Sequence, residues 1–448
     1  MRFFKYRFLA TLSAMLAMLL GFIPSAHAVP SFARQTGMAC AACHTTFPEL
    51  TEFGRSFKMN GYVLTGMQQL ESGQQAGTYP QLKINEIPPL SAMFMTSISQ
   101  LSKPLADIGT GQNTQNGTVE FPQQLSLFFA GEISDHMGAF SQMTYAPDAD
   151  HFSIDNTDIR YASHYKVGGE DSVWGLTLNN NPTVEDVYQS TPAWGFPFIS
   201  SPVTPAPIAA TLIDGTLAQD VAGLGGYTFI ANHYYAGATL YRSAHLAGSI
   251  PFDHTSPATI NGLAPYWRFA YHYDFGHNDF EVGYYGMKAD LAPNGTGGTP
   301  DKFTDNAIDG YFEHFMGTDS IVFRGTYIHE SMDLDATEPG TSDTLKTLKL
   351  NAKYNFLGNM GAALSYVSTT GTTDTVRYTP APNTGSLNGS PDTNSWIMQL
   401  DYQPWQNVQI GLQYAWYTKF NGGSDNYDGN GRKASDNNTL FGYAWFVW

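Results

Sequence analysis

The sequence predicts an all-β transmembrane barrel of about sixteen antiparallel strands, preceded by a small N-terminal α-helical segment. Three observations lead there. Beyond residue 88, apolar and polar residues alternate with a period of two, as in Val408, Ile410, Leu412, Tyr414 and Trp416 against Gln409, Gly411, Gln413, Ala415 and Tyr417. Connections between such stretches alternate between tight turns and mostly long loops, as an up-and-down membrane barrel requires. The composition agrees: 14% aromatic residues, 44 Gly and only 14% charged residues suit a strand-rich protein facing lipid better than a soluble enzyme of 448 residues.

The chain opens with Arg2, Lys5 and Arg7, then an apolar stretch from Phe8 to Ile23, then the small-x-small site Ala26-His27-Ala28. Residues 1–28 are expected to be a signal peptide cleaved after Ala28 rather than an anchor. No later run reaches the ~18 apolar residues of a spanning helix. The precursor carries a formal charge of −17, and loss of a leader with basic residues and no acid makes the mature chain more acidic still. That balance argues against nucleic acid and anionic lipid as partners and favours attraction of cations.

The two cysteines fall in one string, Cys40-Ala41-Ala42-Cys43-His44. C-x-x-C-H is the attachment signature of c-type haem: two thiols add across the vinyl groups, and the histidine becomes the proximal ligand of the iron. A thioredoxin-like dithiol would sit in a βαβ pattern, and none surrounds it. A zinc site needs about two further Cys or His at short spacing, whereas the next histidine is His151. A structural disulfide would leave His44 unexplained. One covalent haem c is therefore expected, on Cys40 and Cys43 with His44 as iron ligand. Covalent attachment takes place beyond the inner membrane, so leader and motif support each other.

Thr46-Phe47-Pro48-Glu49 has the form of a capping box with Pro48 at the first helical position, and Leu50, Phe53 and Phe57 follow on one helical face. A short amphipathic helix is expected to begin just after His44 and stop at Asn60-Gly61. Its apolar face would cover the porphyrin or pack on a neighbouring wall. Residues 29–80 form this haem segment with its linker, residues 68–88 being Gln-, Gly- and Pro-containing.

The barrel proper is expected over 85–448. Strands are placed at 89–102, 121–133, 138–147, 153–167, 172–183, 217–230, 233–244, 265–275, 279–290, 305–316, 320–332, 345–357, 360–370, 395–404, 407–420 and 437–448. Tight turns fall at 134–136, 276–278, 317–319, 358–359 and 404–406; long loops are expected at 103–120, 184–216, 245–264, 333–344, 371–394 and 421–436. An even count puts both termini on the short-turn, periplasmic side. The last strand, Leu440 to Trp448, ends on an aromatic residue, as bacterial outer-membrane proteins do.

Pro30-Ser31-Phe32-Ala33-Arg34-Gln35-Thr36-Gly37, the Cys40–His44 motif, Pro48-Glu49-Leu50-Thr51-x-Phe53-Gly54-Arg55 and Phe57-Lys58-x-Asn60-Gly61-Tyr62 together resemble the N-terminal signature of the outer-membrane fused mono-haem cytochrome c–porins of iron-oxidising bacteria. The specific motifs span about residues 30–64; the remainder matches in architecture and length. The resemblance implies an Fe(II)-oxidising electron-transfer oxidoreductase in the outer membrane. It would take electrons from extracellular Fe(II) and pass them to a periplasmic cytochrome or cupredoxin. The alternative is a solute porin whose haem segment acts as a gate or redox sensor. Occupancy of the lumen separates the two.

The distal iron ligand stays open between Met59 and Met93. Met59 points away from the Leu50/Phe53/Phe57 face; Met93 and Met95 share a lumen-type strand face with Ser91, Ser97 and Ser99; Met67 sits in the linker, and His272 lies on another lumen-type face. Each also has an ordinary reading as packing. Asp148, Asp150, Asp155 and Asp158, and likewise Glu330, Asp333, Asp335 and Glu338, are expected to cluster in connections, as weak cation-capturing carboxylates or as plain solvated loops.

Overall fold

Strands of period two must bury one face and expose the other, and here the choice is inverted relative to a soluble protein. Leu350 and Leu412 are 47% and 49% exposed, whereas Lys353 and Gln413 on the opposite faces of the same strands are each 3% exposed. Apolar side chains point outward and polar ones inward, as in a barrel wetted by lipid outside and lined by polar groups within. The computed structural model describes residues 31–64, 88–106, 116–147, 150–244, 259–293 and 298–448. The expected signal peptide 1–28, Met67, most of the linker and Asp148 lie outside them.

The strands are β1 (Leu90–Leu101), β2 (Thr118–Ser134), β3 (Met137–Ala146), β4 (His151–Val167), β5 (Glu170–Asn179), β6 (Val221–Ile230), β7 (Tyr234–Ser243), β8 (Thr259–Ile260), β9 (Ala264–Phe275), β10 (Asn278–Ala292), β11 (Asp301–Met316), β12 (Asp319–Asp333), β13 (Ser342–Phe356), β14 (Met360–Gly371), β15 (Thr393–Trp405), β16 (Val408–Lys419) and β17 (Thr439–Val447). β8 is a two-residue stub paired to the end of β10. The other sixteen pair antiparallel with their neighbours, and β1 pairs with both β2 and β17, so the sheet closes and leaves no edge. All sixteen expected strands are present. The fifth ends earlier than expected, at Asn179, and the sixth begins later, at Val221. Tight turns join β2–β3, β4–β5, β6–β7, β9–β10, β11–β12, β13–β14 and β15–β16 at one end, where β1 starts and β17 finishes. Gly276, Gly317 and Gly358 supply the positive φ that these turns need.

An arginine on the outer face tests this orientation. Leu350→Arg, near the middle of β13, should destabilise the protein by about 2–4 kcal/mol in urea unfolding from lipid vesicles. An unchanged midpoint would place Leu350 away from hydrocarbon.

The connection from Asn180 to Asp220, expected to project as a loop over 184–216, instead folds into the lumen. Ile199 accepts from Gln413 on β16, Ser201 donates to Ser99 on β1, and Thr204 meets Thr439 on β17. Leu212 N and Ile213 N donate to Glu330 on β12 and Asp305 on β11. The loop thus reaches opposite walls. Its own carboxylates stabilise the path: Asp186 accepts from the backbone of Tyr188, Ser190 and Thr191. Backbone polar groups enclosed this way need partners, and polar lumen walls offer them. At the long-loop end, Asn383 bonds Ala106, Arg432 bonds Pro104 and Tyr427 bonds Asn383, tying three further connections together.

Candidate functional site

Residues 31–64 lie within the turn end of the lumen. The segment contains α1 (Ser31–Thr36), α2 (Cys40–Cys43) and α3 (Glu52–Met59). Ser31 Oγ and Gln35 Nε2 both donate to Ala130 O on β2, at 2.6 and 2.9 Å, and Arg34 donates to Leu90 O at the start of β1. Gly131 permits that contact, because a Cβ there would come within 2.7 Å of the Gln35 side chain.

α2 is one helical turn carrying both cysteines, closed by His44 N donating to Cys40 O at 2.9 Å. Burial raises both thiols to about 11. α3 is pinned against this turn. Thr51 Oγ1 accepts from Gly54 N as the helix cap and donates to Ala42 O, while Thr51 N donates to Cys43 O. A side chain at position 54 would put its Cβ 2.3 Å from Cys43 O, so the two elements can meet only at a glycine. The expected stop at Asn60-Gly61 is present, Gly61 having a φ of 74°.

The expected capping box is not the helix cap. α3 starts at Glu52, capped by Thr51, rather than just after His44. Thr46 and Glu49 do bond each other, at 2.6 Å, but across a tight turn, and the Glu49 carboxylate is taken by Arg324 (2.5 Å) and Lys353 on the wall. Two buried cations compete for that carboxylate more strongly than a helix terminus does. Burial alone would raise the Glu49 carboxyl, but Lys353 and Arg324 outweigh it and hold it at about 2.

Further anchors follow along α3. Arg55 pairs with Asp279 of β10, its guanidinium lying 5.2 Å from the Tyr188 ring centre and 5.3 Å from that of Tyr311. Lys58 Nζ donates to Val184 O and Asp186 O of the inward loop, and burial lowers its pKa to about 8. Tyr62 donates to Asp158, which also pairs with Arg160 at 2.7 Å. None of these pairings was legible beforehand; the only clue was that charged residues recur on lumen-type faces.

His44 sits 5.0 Å from the Phe47 ring, and Phe47 lies 6.4 Å from Trp445 of β17. Its Nδ1 is buried without a hydrogen-bond partner, and burial, partly opposed by the backbone of Pro48 and Glu49, pulls the ring down to about 4. A neutral imidazole with an unspent nitrogen, following two thiols on one turn, is the donor set that a c-type haem requires. Phe57 packs edge-on to Phe32 at 5.1 Å and Phe32 stacks on Tyr62 at 5.5 Å, whereas Phe53 remains 38% exposed.

The candidate distal ligands separate. Met59 is buried with Ala162, Val173, Val187 and Tyr227, and its carbonyl accepts from Tyr227 at 2.6 Å. Met93 and Met95 do face inward on β1, as expected, and Met95 is the cross-strand partner of Trp445. Trp445 touches Phe47 beside His44, so the β1 methionines share the His44 side of the lumen. His272 lies on β9, halfway round the ring of strands from β17, with both nitrogens facing polar partners.

The acidic clusters do not form as loop clusters. Asp155 and Asp158 belong to β4, where Asp155 accepts from Thr144 and Asp158 is fully buried. Glu330 is an inward residue of β12, and Asp333 ends that strand; among the described residues, Asp150 of the first group and Asp335 and Glu338 of the second stand in connections. Asp155, Asp158 and Glu330 fall within strands already expected at 153–167 and 320–332, whose alternation turns Asp158 and Glu330 inward, while Asp333 is exposed.

No family model and no curated protein matches the chain. Among solved structures it is similar to OmpF of Salmonella typhi, in complex with daunomycin, at 12% identity and a TM-score of 0.48, covering 80% of this chain and 97% of that one. It is also similar to outer-membrane expressed OmpT of Vibrio cholerae, at 11% identity and 0.43 (80% and 97% covered), and to the outer membrane channel DcaP of Acinetobacter baumannii, at 8% and 0.44 (80% and 96%). The fold assignment rests on the strand closure above.

Proposed function

We propose that this chain is a bacterial outer-membrane electron conduit: a mono-haem c segment held within a barrel, taking electrons from extracellular Fe(II) and delivering them to a periplasmic cytochrome or cupredoxin. The observation that carries this reading is the position of Cys40, Cys43 and His44 inside the turn end of a closed barrel. Cys40 and Cys43 would hold the haem covalently and His44 would bind its iron; when bound, such a group supplies a one-electron acceptor and donor. Around it, Phe47 and Trp445 exclude water on the wall side, and the exposed ring of Phe53 faces open space. Hydrocarbon about 30 Å thick is too wide for an electron to cross unaided, and a lumen lets donor and acceptor approach from opposite ends.

A free solute path fits this arrangement poorly, since residues 31–64 and the inward 180–220 loop both occupy the lumen. Proteoliposomes separate the two readings. Haem reduction by external Fe(II) with slow solute leakage is expected; fast leakage without reduction would make the chain a porin.

For the distal ligand, the β1 methionines are favoured over Met59. Met93→Ala or Met95→Ala should lower the haem potential and alter its optical spectrum. Met59→Ala should leave both unchanged while destabilising the packed segment by about 2–5 kcal/mol. Redox titration of the purified variants checks this, and a shift seen only with Met59→Ala would reverse the assignment.

A further inference from the structure

His272 has its Nδ1 2.9 Å from the carbonyl oxygen of Asn232. A carbonyl can only accept, so that nitrogen carries a proton and Nε2 is the atom turned to the carboxylates. Nε2 in turn lies 2.8 Å from Asp279 Oδ1 and 3.3 Å from Asp274 Oδ1. One ring nitrogen and two carboxylate oxygens therefore converge, all within 4.8 Å of one another. A proton on Nε2 or a metal cation between the three atoms would join such a set. Ligand atoms about 2.0–2.2 Å from one ion stand about 3–3.6 Å apart, close to the two separations from Nε2.

We propose that His272, Asp279 and Asp274 form a divalent transition-metal site at the turn end of the lumen, separate from Cys40–His44. One imidazole and two carboxylates suit Zn(II), Fe(II), Mn(II) or Co(II) rather than Ca(II) or Mg(II). The supporting shell is in place. Asn232 fixes the ring tautomer, Tyr188 and Phe229 lie 5.6 and 6.0 Å from the His272 ring, and Arg55 engages the other oxygen of Asp279, Oδ2. Asp274 is half exposed, its side chain at 51%, which gives an ion a route from the mouth. Because Arg55 belongs to the N-terminal segment, an ion here would brace the wall at the point where that segment docks.

The test uses the full mature chain in detergent, stripped with EDTA and titrated with Zn(II) by calorimetry in millimolar Mg(II) to silence weak carboxylates. One equivalent should bind tightly. His272→Ala should weaken it by at least about 100-fold, and Asp274→Asn, at an exposed position that leaves packing intact, by about 10-fold or more. Co(II) should give a visible absorption band that Asp274→Asn alters. The Cys40→Ala protein should bind Zn(II) as the parent does, which keeps this site independent of the haem reading. Absence of a tight equivalent, or equal affinity in both ligand variants, would mean that a proton alone holds His272 against Asp279 and would overturn the site.

Discussion

Cys40→Ala or Cys43→Ala should remove or sharply reduce the covalent haem, seen as loss of haem peroxidase staining on denaturing gels from protein matured with its haem-ligation machinery. On the proposed reading each thiol would supply one of the two thioether bonds, and among all residues of the chain only these two can. His44→Ala should instead leave the stain and change the optical spectrum, because it removes an iron ligand rather than an attachment. The barrel should still assemble in all three variants, since its strand pairing closes without the segment. Absence of stain from wild-type protein matured under those conditions would end the cytochrome reading.

The largest stability effect is expected at Glu49. Its carboxylate joins two buried cations, Arg324 and Lys353, and Lys353 is also 3.5 Å from Asp401. Glu49→Gln keeps the shape but leaves the cations short of one partner, and breaking a buried pair of this kind costs about 3–5 kcal/mol. The sign with pH follows from the shift. The carboxyl titrates at about 2 in the folded chain against an ordinary 4.5, so its stabilisation is complete above about 4.5 and drains away as pH falls towards 2. Protease cleavage within residues 31–64 should report release of the segment. In the parent it should rise through that window; in Glu49→Gln it should be raised at neutral pH and flatter with acid. Equal resistance in both proteins at neutral pH would show that Glu49 does not anchor the segment.

The sixteen strands and the turn end were legible because a period of two, repeated in lengths that span a membrane, admits few other structures. Even the inward faces were readable: Arg268, Arg324 and Lys353 fall on them by alternation alone. What alternation cannot convey is which inward charge meets which. Glu49 lies 275 residues from Arg324, and no local pattern joins them. The same limit explains the helix start. Thr46 and Glu49 have the spacing of a cap, and the wall cations that claim Glu49 are invisible in a local window. It explains the 184–216 loop too, whose length reads as exposure until Asp305 and Glu330 are seen to hold its amides. The Cys40–His44 string stands out in the sequence because its five residues are consecutive, and both cysteines lie on one helical turn. The nearness of the β1 methionines to His44 was not legible, since it depends on β1 lying next to the final strand.

The polar contacts between residues 31–64 and the lumen wall constrain how the chain could be taken apart. Glu49 with Arg324 and Lys353, Arg55 with Asp279, and Tyr62 with Asp158 tie residues of one short stretch to four strands of the barrel. The two parts are therefore not interchangeable modules. A haem segment transplanted from another barrel would enclose mismatched charges unless its own set happened to complement Asp158, Asp279, Arg324 and Lys353. Divergence in either part has to be answered in the other, so these pairs are where the two halves of the chain must change together.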